Sequence, residues 1–125
     1  SMGHSHKLTI NGLDNASLAC IRVLCASAEE MKGAVRRVLR REPVTPRNDE
    51  CLYQTMVSAI EGLLDKYPTR VFEDDARLKQ GGLSPNQLKA LILRRDEKRI
   101  LIYNLSRYQR LLAKLHAKNG RRDDL

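Results

Sequence analysis

Apolar residues return every three or four positions along most of the chain, and glycine or proline interrupts them at only a few points. In DNASLACIRVLCAS, Leu18, Ile21 and Cys25 fall on one helical face behind an Asp14 cap. SAEEMKGAVRRVLRR opens with Ser27 and Glu30 at capping-box spacing, and its apolar stripe is Met31, Val35 and Val38. EPVTPRNDE reads as a loop. CLYQTMVSAIEGLLDKY repeats Tyr53, Met56, Ile60, Leu63 and Tyr67 in amphipathic register. After QGGLSP, the trio Ser84, Pro85 and Gln87 supplies a cap, a first-turn proline and a third-position partner, which predicts a helix start. No period-two strand, hairpin turn or internal repeat is visible. The pattern predicts an all-α fold, an orthogonal or irregular bundle of about five helices that ends in a long basic one.

Two stretches resist a simple amphipathic reading. In YPTRVFEDDARLK, Pro68 ends the preceding helix, because it has no amide hydrogen and biases Tyr67 away from helical angles. Thr69 is then expected to cap a short helix whose first turn carries Glu73, Asp74 and Asp75, where negative charge suits the exposed amides. Val71, Phe72 and Leu78 are expected to hold that helix to the core, with Tyr67 and Phe72 fixing the corner. In the last helix, Leu88, Leu91, Ile92 and Ile102 share one face. Leu101, Leu105, Tyr108, Leu112 and Leu115 make a heptad pattern on another, roughly 130° away at 100° per residue. RRDEKR, residues 94–99, lies between the two. Either the helix bends there or its halves serve different neighbours. The heptad stripe is expected to pack mainly on the helices of Leu18–Cys25 and Met31–Val38, with weak homodimerisation through Leu101, Leu105, Tyr108, Leu112 and Leu115 as the fallback.

Charge sharpens the picture of the chain's end. The net +8 is uneven: residues 1–88 hold 12 Lys/Arg against 11 Asp/Glu, and residues 89–125 hold 11 against 4. Such an excess suits an acidic protein, a membrane surface or nucleic acid, and it is also what a solvated helix face looks like. The candidate partner-binding residues are Arg36, Arg37, Arg40, Arg41, Arg107, Arg110 and Lys114. The 125 residues make one domain. The opening SMGHSH reads as an expression remnant or a ragged cut, so residues 1–12 are set apart from a helical domain at 13–119 and a tail at 120–125.

No catalytic chemistry is legible. G-x-G-x-x-G, G-K-[ST] and G-x-S-x-G are all absent, and the three acids beside Phe72 are adjacent helical residues that diverge from one another rather than converging on a metal. Cys20, Cys25 and Cys51 are odd in number with no C-x-x-C spacing, which points to buried free thiols in a reducing compartment. His116 sits among lysines, and the sequons at Asn15 and Asn104 read as chance. No signal-peptide pattern is expected from this stretch, and no apolar run in it is long enough to cross a bilayer. We therefore read this chain as non-catalytic, with no catalytic, cofactor or metal residues. Its setting is expected to be intracellular, cytoplasmic or nuclear.

LLDKYPTRVFEDDARLKQGGLSPNQLKALILRRDEKRIL resembles the C-terminal substrate-binding domain of the Rubisco large-subunit methyltransferase-type SET-domain protein methyltransferases. The residues that carry the likeness are Tyr67–Pro68–Thr69, Glu73 to Asp75 with Leu78, Leu83–Ser84, Ala90–Leu91 with Arg94, and Glu97–Lys98 with Ile100–Leu101. Upstream, LACIRVLCASAEEM is similar to the family's first helix and EPVTPRNDE to its linker. The likeness spans most of residues 13–105. The family commonly has Gly before E-K, where this chain has Asp96. The resemblance implies a protein-interaction domain that docks a protein substrate beside a SET catalytic domain of the same chain. The full-length protein would then be an S-adenosylmethionine-dependent protein-lysine methyltransferase, with the cofactor bound outside this stretch. The competing reading is a stand-alone basic helical module for nucleic acid or an acidic protein partner, with nucleic acid disfavoured because Tyr53 and Tyr67 fall on the apolar stripe rather than among the arginines.

Overall fold

The computed structural model describes residues 8–9, 12–40 and 42–123. Leu8–Thr9 (β1) pairs antiparallel with Gly12–Leu13 (β2), and five helices follow: α1 (Asn15–Cys25), α2 (Met31–Leu39), α3 (Pro46–Asp65), α4 (Val71–Gln80) and α5 (Pro85–Asp123). The body is all-α, with a long C-terminal helix, as the periodicity predicts. The ladder was not legible as a strand pattern, because two residues a side are too few to show alternation. All of it but Leu13 lies within residues set apart as a ragged start, and it rests on α5, where Gly12 approaches Asn104 and Arg107. At the other end α5 runs into the segment read as a tail.

Local sequence sets the helix starts. Asp14 caps α1 by accepting the Ser17 amide at 2.7 Å. Before α2, the Ser27 amide donates to Glu30 at 2.8 Å and the Glu30 amide to the Ser27 hydroxyl at 3.2 Å, a reciprocal capping box. Ser84 and Gln87 repeat that exchange at the head of α5, at 3.0 and 3.2 Å. The stretch read as a loop, EPVTPRNDE, in fact begins α3: Thr45 accepts the Asn48 amide at 3.0 Å and Pro46 occupies the first turn. Between α4 and α5, Gly81 and Gly82 take φ of 70° and 77°, left-handed values that let the chain reverse without a Cβ penalty.

The core lies along α3 and α5. Leu52, Met56 and Ile60 of α3 meet Leu101 and Tyr108 of α5, all buried, with Leu18, Ile21, Tyr53, Val57, Leu64, Tyr67, Leu105 and Leu111 packed around them. The rings of Tyr53 and Tyr108 stand 6.1 Å apart, tilted at 42°. The heptad stripe therefore packs mainly on α3, with α1 adding Leu18 and Ile21. α2 packs on α1 and buries Ala34, while Met31 stays 43% exposed, Val38 is half-buried and Val35 lies outside the described side chains.

α5 is one unbroken helix of 39 residues with a single buried seam. Lys98, Leu101, Asn104 and Tyr108 are buried, and Leu91, Leu105 and Leu112 border them. The second apolar stripe expected of this helix is not buried: Leu88, Ile92 and Ile102 are exposed. Lys98 stands in the seam seven residues after Leu91, so what interrupts the apolar pattern is a buried cation. Asn104 donates to the Ile100 carbonyl at 2.9 Å and is fully buried, which closes that sequon to modification. The cysteines differ from the expected buried thiols, since Cys20 is exposed and Cys25 and Cys51 are half-buried. Among the described residues no helix is long and apolar enough to cross a membrane.

Candidate partner-binding surface

The Tyr67–Pro68–Thr69 corner joins α3 to α4 and is fastened to the middle of α5. The Tyr67 hydroxyl donates to Glu97 at 2.9 Å. The Lys98 ammonium donates to the Thr69 carbonyl at 2.9 Å, the Thr69 hydroxyl at 2.8 Å and Asp74 at 2.5 Å, so its three protons have three acceptors. It also stands 5.3 Å from the Tyr67 ring centroid, within cation–π range. Thr69 completes the ring by donating to Asp74 at 2.7 Å. Both charged side chains are 3% exposed. Burial pushes the Asp74 carboxyl up, but the Lys98 ammonium and Thr69 hydroxyl outweigh it and hold it below the ordinary value. Burial first, and then donation to Glu97, raises the Tyr67 phenol.

This corner corrects the sequence account of the acids. Glu73 and Asp74 do lie in the first turn of α4, but Arg70 is the cap residue and no side chain caps the helix. Thr69 points to Asp74 instead. Asp75 meets Arg95 and Arg99, each at 3.4 Å, so the mid-helix charges of α5 are the partners of the acid cluster. Phe72 is 69% exposed and does not fix the corner; the positions of α4 facing inward are Val71, Asp74, Asp75 and Leu78. Asp96, at the position where the resemblance puts Gly, pairs with Arg95 at 3.2 Å.

The candidate basic residues divide between two surfaces. Arg36 is exposed on α2 and Arg40 at its C-cap. Arg37 donates to the Val44 carbonyl at 2.5 Å and braces the turn into α3. Arg41 lies outside the described residues. Arg107, Arg110 and Lys114 are exposed on the C-terminal half of α5, with Arg107 beside Gly12 of the ladder. α2 leans on α1, whereas α5 rests on α3 and α4, so the two groups sit on different parts of the bundle.

Sequence reasoning missed a cleft beside the second group. A cavity of about 420 Å³ opens between the start of α3 and the end of α5, with Tyr53, Leu111 and Leu115 inside and Lys114 and Lys118 at its edge. Lys118 follows Lys114 by one turn, which was the available signal. Asp49, on the opposite wall, is held by Arg22 at 2.6 Å. Burial, reinforced by Asp49, raises the Tyr53 phenol. A smaller cleft of about 200 Å³ lies nearer the corner, among Leu63, Tyr67, Glu97, Ile100 and Leu101. Among the described residues no group of three His, Cys, Asp or Glu side chains is placed to hold a metal ion.

A family model described as Rubisco LSMT substrate-binding matches residues 2–101. The chain belongs to that family. Its membership supports a substrate-binding role in a methyltransferase and implies a protein substrate as partner. No curated protein matches the chain. In this substrate-binding domain the residues that carry the likeness, Tyr67, Thr69, the acids from Glu73 to Asp75, Glu97 and Lys98, largely make the corner, and so serve the architecture of the domain. The matched region stops at Leu101, and the basic half of α5 runs beyond it.

Proposed function

We propose that this domain docks the protein substrate of a SET-type protein-lysine N-methyltransferase beside a catalytic domain of the same chain. The observation that carries the reading is the family match, supported by the corner that fixes α4 on α5. A domain of this kind contributes through position: holding a protein substrate lowers the entropy cost of presenting one side chain. Exposed apolar residues on separate elements, among them Leu63 on α3, Phe72 on α4 and Leu93 on α5, offer surfaces for a neighbouring domain and for a substrate. Three free thiols suit an intracellular setting, cytoplasmic or nuclear.

On this reading S-adenosylmethionine, which supplies the methyl group, binds outside this domain. Lys98, which lines a cavity of about 310 Å³ at the corner, is committed to Thr69 and Asp74. The larger cleft presents Lys114 and Lys118 to a cofactor whose sulfonium is itself a cation. Calorimetric titration of the 125-residue chain with S-adenosylmethionine is therefore expected to show no heat of binding. One-to-one binding at roughly micromolar Kd overturns this assignment. In the full-length enzyme, removing the domain is expected to raise KM for the protein substrate while leaving cofactor binding unchanged.

A further inference from the structure

The basic half of α5 has a chemistry that the family match does not cover. No acidic residue occurs between Glu97 and Asp123. Arg110, Lys114 and Lys118 follow one another at successive turns, and all three are exposed. The cleft that Lys114 and Lys118 border is apolar within, lined by Tyr53, Leu111 and Leu115. Its walls are tied together, since His116 meets Glu50 of α3 at 3.1 Å. The one acid in the lining, Asp49, already has Arg22 as its partner. A half-buried apolar slot thus stands beside a row of cations that has no acidic partner among the described residues.

We infer that this slot is a docking site for an acidic peptide segment of a partner protein, anchored by one bulky apolar side chain. A leucine or phenylalanine of the peptide fills the space above Tyr53, Leu111 and Leu115, and carboxylates on the adjoining turns meet Lys114, Lys118 and Arg110. A polynucleotide would use the cations but leave the apolar slot empty. A lipid surface requires apolar side chains on an outward ridge, whereas these are recessed between two helices. The cations lie beyond the family match, so the inference stands apart from the methyl-transfer reading and survives or fails on its own.

The probe is a fluorescein-labelled amphipathic peptide, glutamate-rich with leucine at i, i+4 and i+7, titrated into the 125-residue chain by anisotropy. Two further probes are the same peptide with its leucines changed to serine, and a uridine homopolymer of equal charge. The leucine peptide is expected to bind saturably and at least about tenfold more tightly than the serine peptide. Lys114→Glu with Lys118→Glu is expected to abolish binding. Ala117→Trp, which crowds the slot without changing charge, is expected to erase the preference for leucine. Arg36→Glu with Arg40→Glu, on the other basic surface, is expected to leave binding unchanged. Circular dichroism melts confirm that each variant is folded. Equal binding of the leucine and serine peptides, tighter binding of the uridine polymer, an equal loss from the α2 variant, or no saturable binding each overturns the inference.

Discussion

Lys98 and Asp74 show how far one residue's role departs from its type. Lysine in a helix normally points to water, yet here it occupies a seam position between Leu91 and Leu105. Truncating one partner strands the other charge: Lys98→Met is expected to cost about 3–5 kcal/mol in urea unfolding, and Lys98→Met with Asp74→Leu to recover most of it. If the double variant loses as much as the two singles added together, the pair is not coupled and the account of the corner fails. Phe72→Ala is expected to stay within about 0.5 kcal/mol of wild type, because that ring is exposed. The stability held by Asp74 has a sign: its lowered pKa favours the folded state above the ordinary carboxylate range, and the contribution is lost as pH falls through the lowered value.

At the scale of elements, what was legible in the sequence was what is local. Asp14, the Ser27–Glu30 box and the Ser84–Gln87 box all formed as their spacing predicted, since each needs only the backbone of its own turn. Thr45–Pro46 carries the same kind of signal as Ser84–Pro85, within a stretch that reads as a loop. The corner was harder. Lys98 lies 24 residues from Asp74, and no periodicity links two charges that meet only after α4 folds back on α5. The basic residues of α2 and α5 were grouped by charge, and packing separated them. Glu30 gives this scale its test. It accepts from Arg47 and Thr45 and so ties the turn before α2 to the start of α3. The Arg47 guanidinium, then the Ser27 amide and the Thr45 hydroxyl, hold its carboxyl down at about 2. The tie is therefore complete above about pH 4.5 and is lost as pH falls toward about 2. Protection of the Ser27 and Asn48 amides against hydrogen exchange, taken relative to the intrinsic rate at each pH, is expected to fall across that window, and Glu30→Gln to flatten the dependence.

For the whole molecule, α3 and α5 form the spine on which α1, α4 and the ladder rest, with α2 carried on α1. Placing charge in their seam attacks the fold itself, so Leu105→Lys with Leu112→Lys is expected to abolish cooperative thermal unfolding. A folded variant of halved sedimenting mass would instead show that the stripe joins two copies. The length of α5 has one more consequence. Lys98, at the corner, and Lys118, at the far cleft, stand on the same unbroken rod, about 30 Å apart at 1.5 Å per residue. The helix is thus a ruler. Lys98 itself is buried, so a bound chain that reaches both the corner surface around it and the far cleft has to cover that interval, with roughly nine residues if extended or about twenty if helical. Segments shorter than this reach one mark alone, whatever their composition.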